Sequence, residues 1–111
     1  MHIAKAWHRM GQLTLRISIQ ENEQTIGFIL EGRVAGPWVI ELKRAWMELI
    51  PRLRGRKLSL DLRNVTYTDA SGKSVLREIF TRTEADLVAS SPLTQYLAEE
   101  IRTSNTGTEE R

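Results

Sequence analysis

Cysteine is absent from this sequence of 111 residues, which excludes disulfides, thiolate chemistry and cysteine-ligated zinc. No apolar run approaches the roughly 20 residues that a membrane-spanning helix needs. The N-terminal stretch also lacks an apolar segment long enough for a secretory signal. We therefore expect a cytoplasmic protein that does not insert into a membrane.

An excess of charge of one sign is also lacking, because 16 basic and 14 acidic residues leave a formal net charge of +2. One basic cluster stands out around Gly55, and it comprises Arg52, Arg54, Arg56 and Lys57. Such a cluster would suit an anion or a nucleic acid. It would also suit a helix C-terminus, where cations offset the helix dipole. No aromatic residues interleave with the cluster to stack on bases, so we predict a helix end and no nucleic-acid partner.

Motifs for catalysis are missing as well. The two histidines, His2 and His8, lie in an N-terminal stretch where no acidic residue is placed beside them. The sequence contains neither a Gly-x-Ser-x-Gly elbow nor a phosphate-binding loop of the Gly-x-x-x-x-Gly-Lys type. We therefore predict that the protein is not an enzyme and that it has no catalytic residue, cofactor or metal.

The first clear pattern along the chain is one that is typical of β-strands. Apolar and polar residues alternate strictly from Leu13 to Gln20, which predicts a strand with one face in water. The polar residues 21–24 predict a hairpin connection to a second strand, from Thr25 to about Glu31. Further strands are predicted over residues 57–63 and, more briefly, over residues 85–89.

Helical periodicity fills the intervals between these strands. Apolar residues recur at gaps of three and four after Pro37 as far as Leu53, which predicts the first helix. A second helix is predicted from about Ser71 and a third from Pro92 to about Arg102. Strands separated by helices imply parallel neighbours. We therefore expect an α/β domain with a mixed sheet of four to five strands and with helices mainly on one face.

The ends of the chain carry weaker patterns. The first nine residues fit no element, and residues 1–12 are set apart as an N-terminal segment that could be disordered. The single domain is predicted over residues 13–103. The polar residues 104–111 predict a disordered tail.

The start of the second predicted helix carries a candidate functional motif. There the residues Asp69-Ala70-Ser71-Gly72 lead from a strand and a turn into the helix. Asp69 or Ser71 can cap that helix, because a side-chain oxygen accepts a hydrogen bond from a free backbone N–H. Capping alone would account for both residues. Gly72 permits the close approach of another group to the backbone.

This segment resembles the STAS family, the bacterial anti-sigma-factor antagonists. The family pattern is an apolar strand ending in Asp, a short bridge, then Asp-Ser-Ser-Gly and an apolar helix. Residues 58–61, 65–68 and 69–72 match it in order and spacing. Residues 30–33 match the family's strand, loop and helix start, and the order of elements agrees over residues 13–101.

The resemblance implies a regulatory, protein-binding function in bacterial transcription. In such antagonists the serine matched by Ser71 is phosphorylated by the partner, an anti-sigma factor that is a serine kinase. The unphosphorylated antagonist binds that kinase and releases a sigma factor. We therefore expect Ser71 to be a phosphorylation site and an anti-sigma factor, or another regulatory protein, to be the partner. The expected partner surface comprises Asp69, Ala70, Ser71, Gly72, Lys73, Arg33 and Gly36.

Two residues depart from the family pattern. Ala70 replaces the first serine, and Lys73 stands where an apolar residue is usual. A lysine in the first turn opposes the helix dipole, so Lys73 is expected either to face water or to meet an anion. That anion would be an acidic patch on the partner or a phosphate on Ser71. The alternative function is a constitutive accessory subunit of a transporter, of the phospholipid ABC type, in which Ser71 is only a helix cap. The oligomeric state stays open.

Overall fold

The computed structural model describes residues 2–7 and 15–107, with side chains described for residues 15–103. Within these residues the chain forms five strands and three helices. The strands are β1 (His2–Trp7), β2 (Leu15–Glu21), β3 (Thr25–Val34), β4 (Lys57–Thr68) and β5 (Asp86–Val88). The helices are α1 (Trp38–Leu53), α2 (Ala70–Thr83) and α3 (Pro92–Gly107).

The strands form one mixed sheet in the order β1-β2-β3-β4-β5. The pairs β1–β2 and β2–β3 are antiparallel. The short hairpin connection between β2 and β3 requires this for that pair. The pairs β3–β4 and β4–β5 are parallel because α1 and α2 carry the chain back before each new strand. The predicted α/β domain with a mixed sheet is confirmed.

The helices and one face of the sheet enclose the core. The sheet register places buried side chains in rows, with Ile17 opposite Leu30, and Phe28 between Ile19 and Leu60. The helices complete the core with the buried side chains of Leu42, Trp46, Leu49, Leu76, Ile79, Leu97 and Ile101. Strict alternation in a strand buries one face and leaves the other wet, so the helices are needed on one face only.

The ends of the chain differ from the sequence predictions. Residues 2–7, to which no element was assigned, form the edge strand β1, and α3 continues through residues 104–107 of the predicted disordered tail. Neither stretch carries a periodic pattern that predicts these elements. An edge strand pairs on one side through its backbone, and hydrophobic periodicity does not detect such pairing. Residues 8–14, with His8 and the predicted strand start at Leu13, and residues 108–111 lie outside the described residues.

The central parallel pair is longer than the hydrophobic pattern indicated. β3 was predicted to end near Glu31 and β4 near Arg63, but they continue together until Val34 pairs with Thr68. The register shifts twice on the way, between Ile29 and Glu31 and again just before Arg33. Such irregularities break the alternation that marks a strand in sequence, which is why the extension was missed.

Candidate functional site

The candidate site is built where β3 and β4 end side by side. From Val34 the chain runs through residues 35–37, here called the α1 entry loop, into α1. From Thr68 it turns through Asp69 into α2. Because the two strands are parallel, both helices begin at the same edge of the sheet. The structure therefore brings together the two segments in which the sequence predicted a partner surface.

The carboxylate of Asp69 joins these two segments. Its Oδ1 accepts hydrogen bonds from the Gly72 N–H at 2.8 Å and from the Ser71 hydroxyl at 3.1 Å. Its Oδ2 accepts the Gly36 N–H at 2.9 Å. Of the two residues that the sequence offered as caps, Asp69 is the N-cap of α2, and Ser71 only donates a hydrogen bond to it.

The same hydrogen bonds favour the ionised form of Asp69. The backbone N–H of Gly36, followed by that of Gly72, lowers the pKa of Asp69 below its ordinary value of 3.8. A smaller lowering of the pKa comes from the Ser71 hydroxyl. The carboxylate is therefore charged at neutral pH, and all three groups donate to an anion.

Gly72 fills a different role from its neighbours because it is buried against the end of β3. A Cβ at this position would overlap the carbonyl oxygen of Val34 and would lie 3.0 Å from the carbonyl carbon and 3.1 Å from Cγ1. The group that approaches the backbone of Gly72 is therefore Val34 of the same chain. Gly72 therefore fixes the start of α2 against β3. Gly36, in contrast, is exposed and has a left-handed φ of 59° that favours glycine.

Ser71 and Ala70 are exposed in the first turn of α2. A side chain in the first turn of a helix projects beside the free N–H groups of the helix end. The Ser71 hydroxyl is therefore open to another protein, and its hydrogen bond to Asp69 orients it.

Lys73 forms an ion pair with an acidic residue of the same chain. Its Nζ lies 3.0 Å from Oε1 of Glu100 on α3, and the two side chains are 29% and 31% exposed. The sequence interpretations of Lys73 considered water, an acidic partner or a phosphate, and none included an acid of the same chain. Sequence spacing offered no signal, because the two residues lie 27 positions apart and meet only when α2 and α3 pack together.

Arg33 contacts an aromatic residue that the sequence analysis missed. Its guanidinium carbon lies 4.5 Å from the ring centroid of Tyr67, its neighbour across β3 and β4. Tyr67 is 47% exposed, and Leu93 and Tyr96 on α3 are also exposed. These three side chains line a groove between β4 and α3. The available signal was an aromatic residue two positions before Asp69.

The basic cluster lies at the other end of α1, as predicted. Arg54 is the C-cap residue of α1. Arg52 and Arg56 both pair with the carboxylate of Glu21 on β2, and Nη2 of Arg56 lies 3.1 Å from its Oε1. Two of the four cations are therefore engaged in fastening the end of α1 to the hairpin.

Sites of other kinds are not evident in the described part of the chain. Among residues 15–103, no three histidine or acidic side chains lie close enough together to hold a metal ion. None of the three described helices is both long enough and apolar enough to cross a membrane. In comparisons with known proteins, the sequence matches no family model and shows no significant match to a curated protein.

Proposed function

We propose that this domain is a regulatory protein-binding module of the anti-sigma-factor-antagonist type. Its partner is a serine kinase that serves as an anti-sigma factor in a bacterial cytoplasm, and phosphorylation of Ser71 switches the binding off. One observation carries the proposal: an exposed serine hydroxyl is oriented by an ionised N-cap carboxylate at the point where two helices begin.

The surroundings of Ser71 support a protein partner. Ala70 and Gly36 are exposed beside it, and Ile40, in the first turn of α1, is 65% exposed. Tyr67 adds an exposed aromatic side chain at the end of β4. The core of a protein interface is more apolar than its rim and is enriched in aromatic residues, and Ile40 and Tyr67 supply such groups here. A stable complex on this edge of the sheet would bury about 1,200–2,000 Å² in total.

The proposed modification transfers one phosphoryl group from ATP. A bond forms between Oγ of Ser71 and the γ-phosphorus, the bond from that phosphorus to the ADP oxygen breaks, and the hydroxyl proton passes to a base of the kinase. The product carries about −1.5 to −2 charges at position 71. Leaving such a charge partly desolvated in an interface costs several kcal/mol, which is roughly a thousandfold in affinity.

The alternative of a constitutive transporter subunit needs Ser71 only as a helix cap. In this domain Asp69 supplies the cap, and it would accept the Gly72 N–H without any hydroxyl at position 71. Under this alternative the exposed Ser71 hydroxyl only donates to the capping carboxylate. We therefore put the switched module first.

The proposal is tested with the purified full chain, ATP and a kinase-type anti-sigma factor from the same bacterium. We expect mass spectrometry to find one added phosphoryl group in the parent protein and in the control Ser74→Ala, and none in Ser71→Ala. Calorimetry should show about a thousandfold weaker binding after phosphorylation. A phosphoryl group on Ser74 or Thr68 would refute the assignment of Ser71. No phosphorylation by an active kinase would favour the transporter subunit.

A further inference from the structure

We infer that Asp69 transmits the phosphorylation state of Ser71 to the α1 entry loop, because an anion at position 71 displaces the carboxylate that holds the Gly36 N–H. The modification of Ser71 rests on the proposed function. The coupling itself is a property of the hydrogen bonds within this domain.

The first step is the geometry of a shared acceptor. One carboxylate group holds the Ser71 hydroxyl and the Gly72 N–H on Oδ1 and the Gly36 N–H on Oδ2. Its two oxygens lie in one rigid plane, so they cannot move independently. A rotation that takes Oδ1 away from Ser71 also takes Oδ2 away from Gly36, which lies 33 positions away in sequence.

The second step is electrostatic. Phosphorylation removes the proton that Oγ of Ser71 donates to Oδ1 of Asp69. In its place, Oγ carries a phosphoryl group of about −1.5 to −2 charges. Oγ lies only 3.1 Å from Oδ1, so the new anion and the carboxylate repel each other at close range. Phosphate oxygens also compete with Asp69 for the Gly72 N–H, because a helix N-terminus binds phosphate well. Both effects favour rotation of the carboxylate away from α2.

The third step decides which part of the structure responds. The start of α2 is held by the packing of Gly72 against Val34, which leaves no room for it to shift inward. The α1 entry loop has more freedom, since Gly36 is exposed and has open space around it. The first-turn bonds of α1, such as that from the Val39 N–H to the Gly36 carbonyl at 3.1 Å, do not involve Asp69. The change is therefore confined to the α1 entry loop.

A partner that reads this edge of the sheet would meet two changes at once. It would meet the phosphate at position 71 directly, and it would also meet a loosened α1 entry loop. A partner that touches the loop but not Ser71 would still respond to phosphorylation, which simple charge repulsion at position 71 does not provide.

The experiment installs phosphoserine at position 71 of the full chain during translation, so no kinase is needed. Hydrogen exchange of the Gly36 amide is then followed by NMR. We expect exchange about tenfold faster or more than in the unmodified chain, as for the loss of a hydrogen bond to a charged group. Phosphoserine at position 74, exposed on the same helix, is the matched control and should leave Gly36 unchanged. The amide of Ile17 in β2 reports on the stability of the whole domain.

An Asp69→Ala variant completes the test. Its Gly36 amide should exchange quickly whether or not position 71 is phosphorylated, because the shared acceptor is gone. Equal Gly36 exchange in the phosphorylated and unmodified parent would overturn the inference, as would an undiminished response in Asp69→Ala. If the kinase leaves Ser71 unmodified while installed phosphoserine releases Gly36, the proposed function fails and the coupling stands. If the kinase phosphorylates Ser71 but the exchange rate of the Gly36 amide does not change, the proposed function stands and the coupling fails.

Discussion

Replacing Gly72 with alanine tests the contact that holds α2 against the end of β3. In an exposed helix interior this change stabilises a protein by about 1 kcal/mol, because alanine is the better helix former. At Gly72 the added methyl group would overlap the carbonyl oxygen of Val34 and would lie 3.0 Å from the carbonyl carbon. The helix propensity of alanine therefore predicts an increase in the free energy of unfolding, whereas the lack of space predicts a decrease.

The structure indicates which effect is larger. Overpacking a closely packed site costs about 1–3 kcal/mol. The overlapping atom of Val34 belongs to the backbone, so no side-chain rotation relieves the clash, and the cost is expected at the upper end of that range. Gly72 lies in the first turn of α2, so the gain in helix propensity is at most the interior value of about 1 kcal/mol, and the net loss in the free energy of unfolding is expected to be at least about 2 kcal/mol.

Urea unfolding followed by tryptophan fluorescence, to which the buried Trp46 contributes, measures this loss. The Gly72→Ala protein should unfold at lower urea, and its melting temperature should fall by about 10 °C. Ser74→Ala, on the exposed side of the same helix, is the matched control and should change the stability by less than about 0.5 kcal/mol. Adding Val34→Ala to Gly72→Ala should give little rescue, because the backbone oxygen remains. A Gly72→Ala protein as stable as the parent would refute the reasoning.

Two further predictions concern carboxylates that join distant parts of the chain. The folded pKa of Asp69 is depressed, so its contribution to stability is complete above its ordinary pKa of 3.8 and is lost as the pH falls through the folded pKa. Asp69→Asn should therefore be less stable than the parent at neutral pH, and urea unfolding should show the difference shrinking as the pH falls below about 4; a constant difference would contradict this. The side chain of Glu21 is only 13% exposed and forms salt bridges with both Arg52 and Arg56. Glu21→Gln should therefore lower the free energy of unfolding by about 1–2 kcal/mol. The control Glu23→Gln, at an exposed position, should lower it by less than about 0.5 kcal/mol. Equal losses in these two variants would show that the pairing at Glu21 contributes nothing measurable.

Local patterns in the sequence determined most of the elements of this domain. Alternation identified β2 from Leu15 onward, and gaps of three and four identified α1 from Trp38 to Leu53. That Asp69 or Ser71 caps α2 could also be predicted, because a cap forms within three residues of its own helix start, and the structure selects Asp69. In each case the side chain that decides the structure and the backbone it acts on are close neighbours in the chain.

The contacts that assemble the candidate site were decided by the tertiary structure. Whether Asp69 also reaches Gly36, whether Gly72 meets Val34 and whether Lys73 meets Glu100 all depend on how separate elements lie against one another. The first two contacts follow from the parallel register of β3 and β4, which continues through two irregularities that conceal it in the sequence, and the third follows from the packing of α2 against α3. Periodicity reports which side of an element is buried, and it carries no information on which distant residue lies opposite.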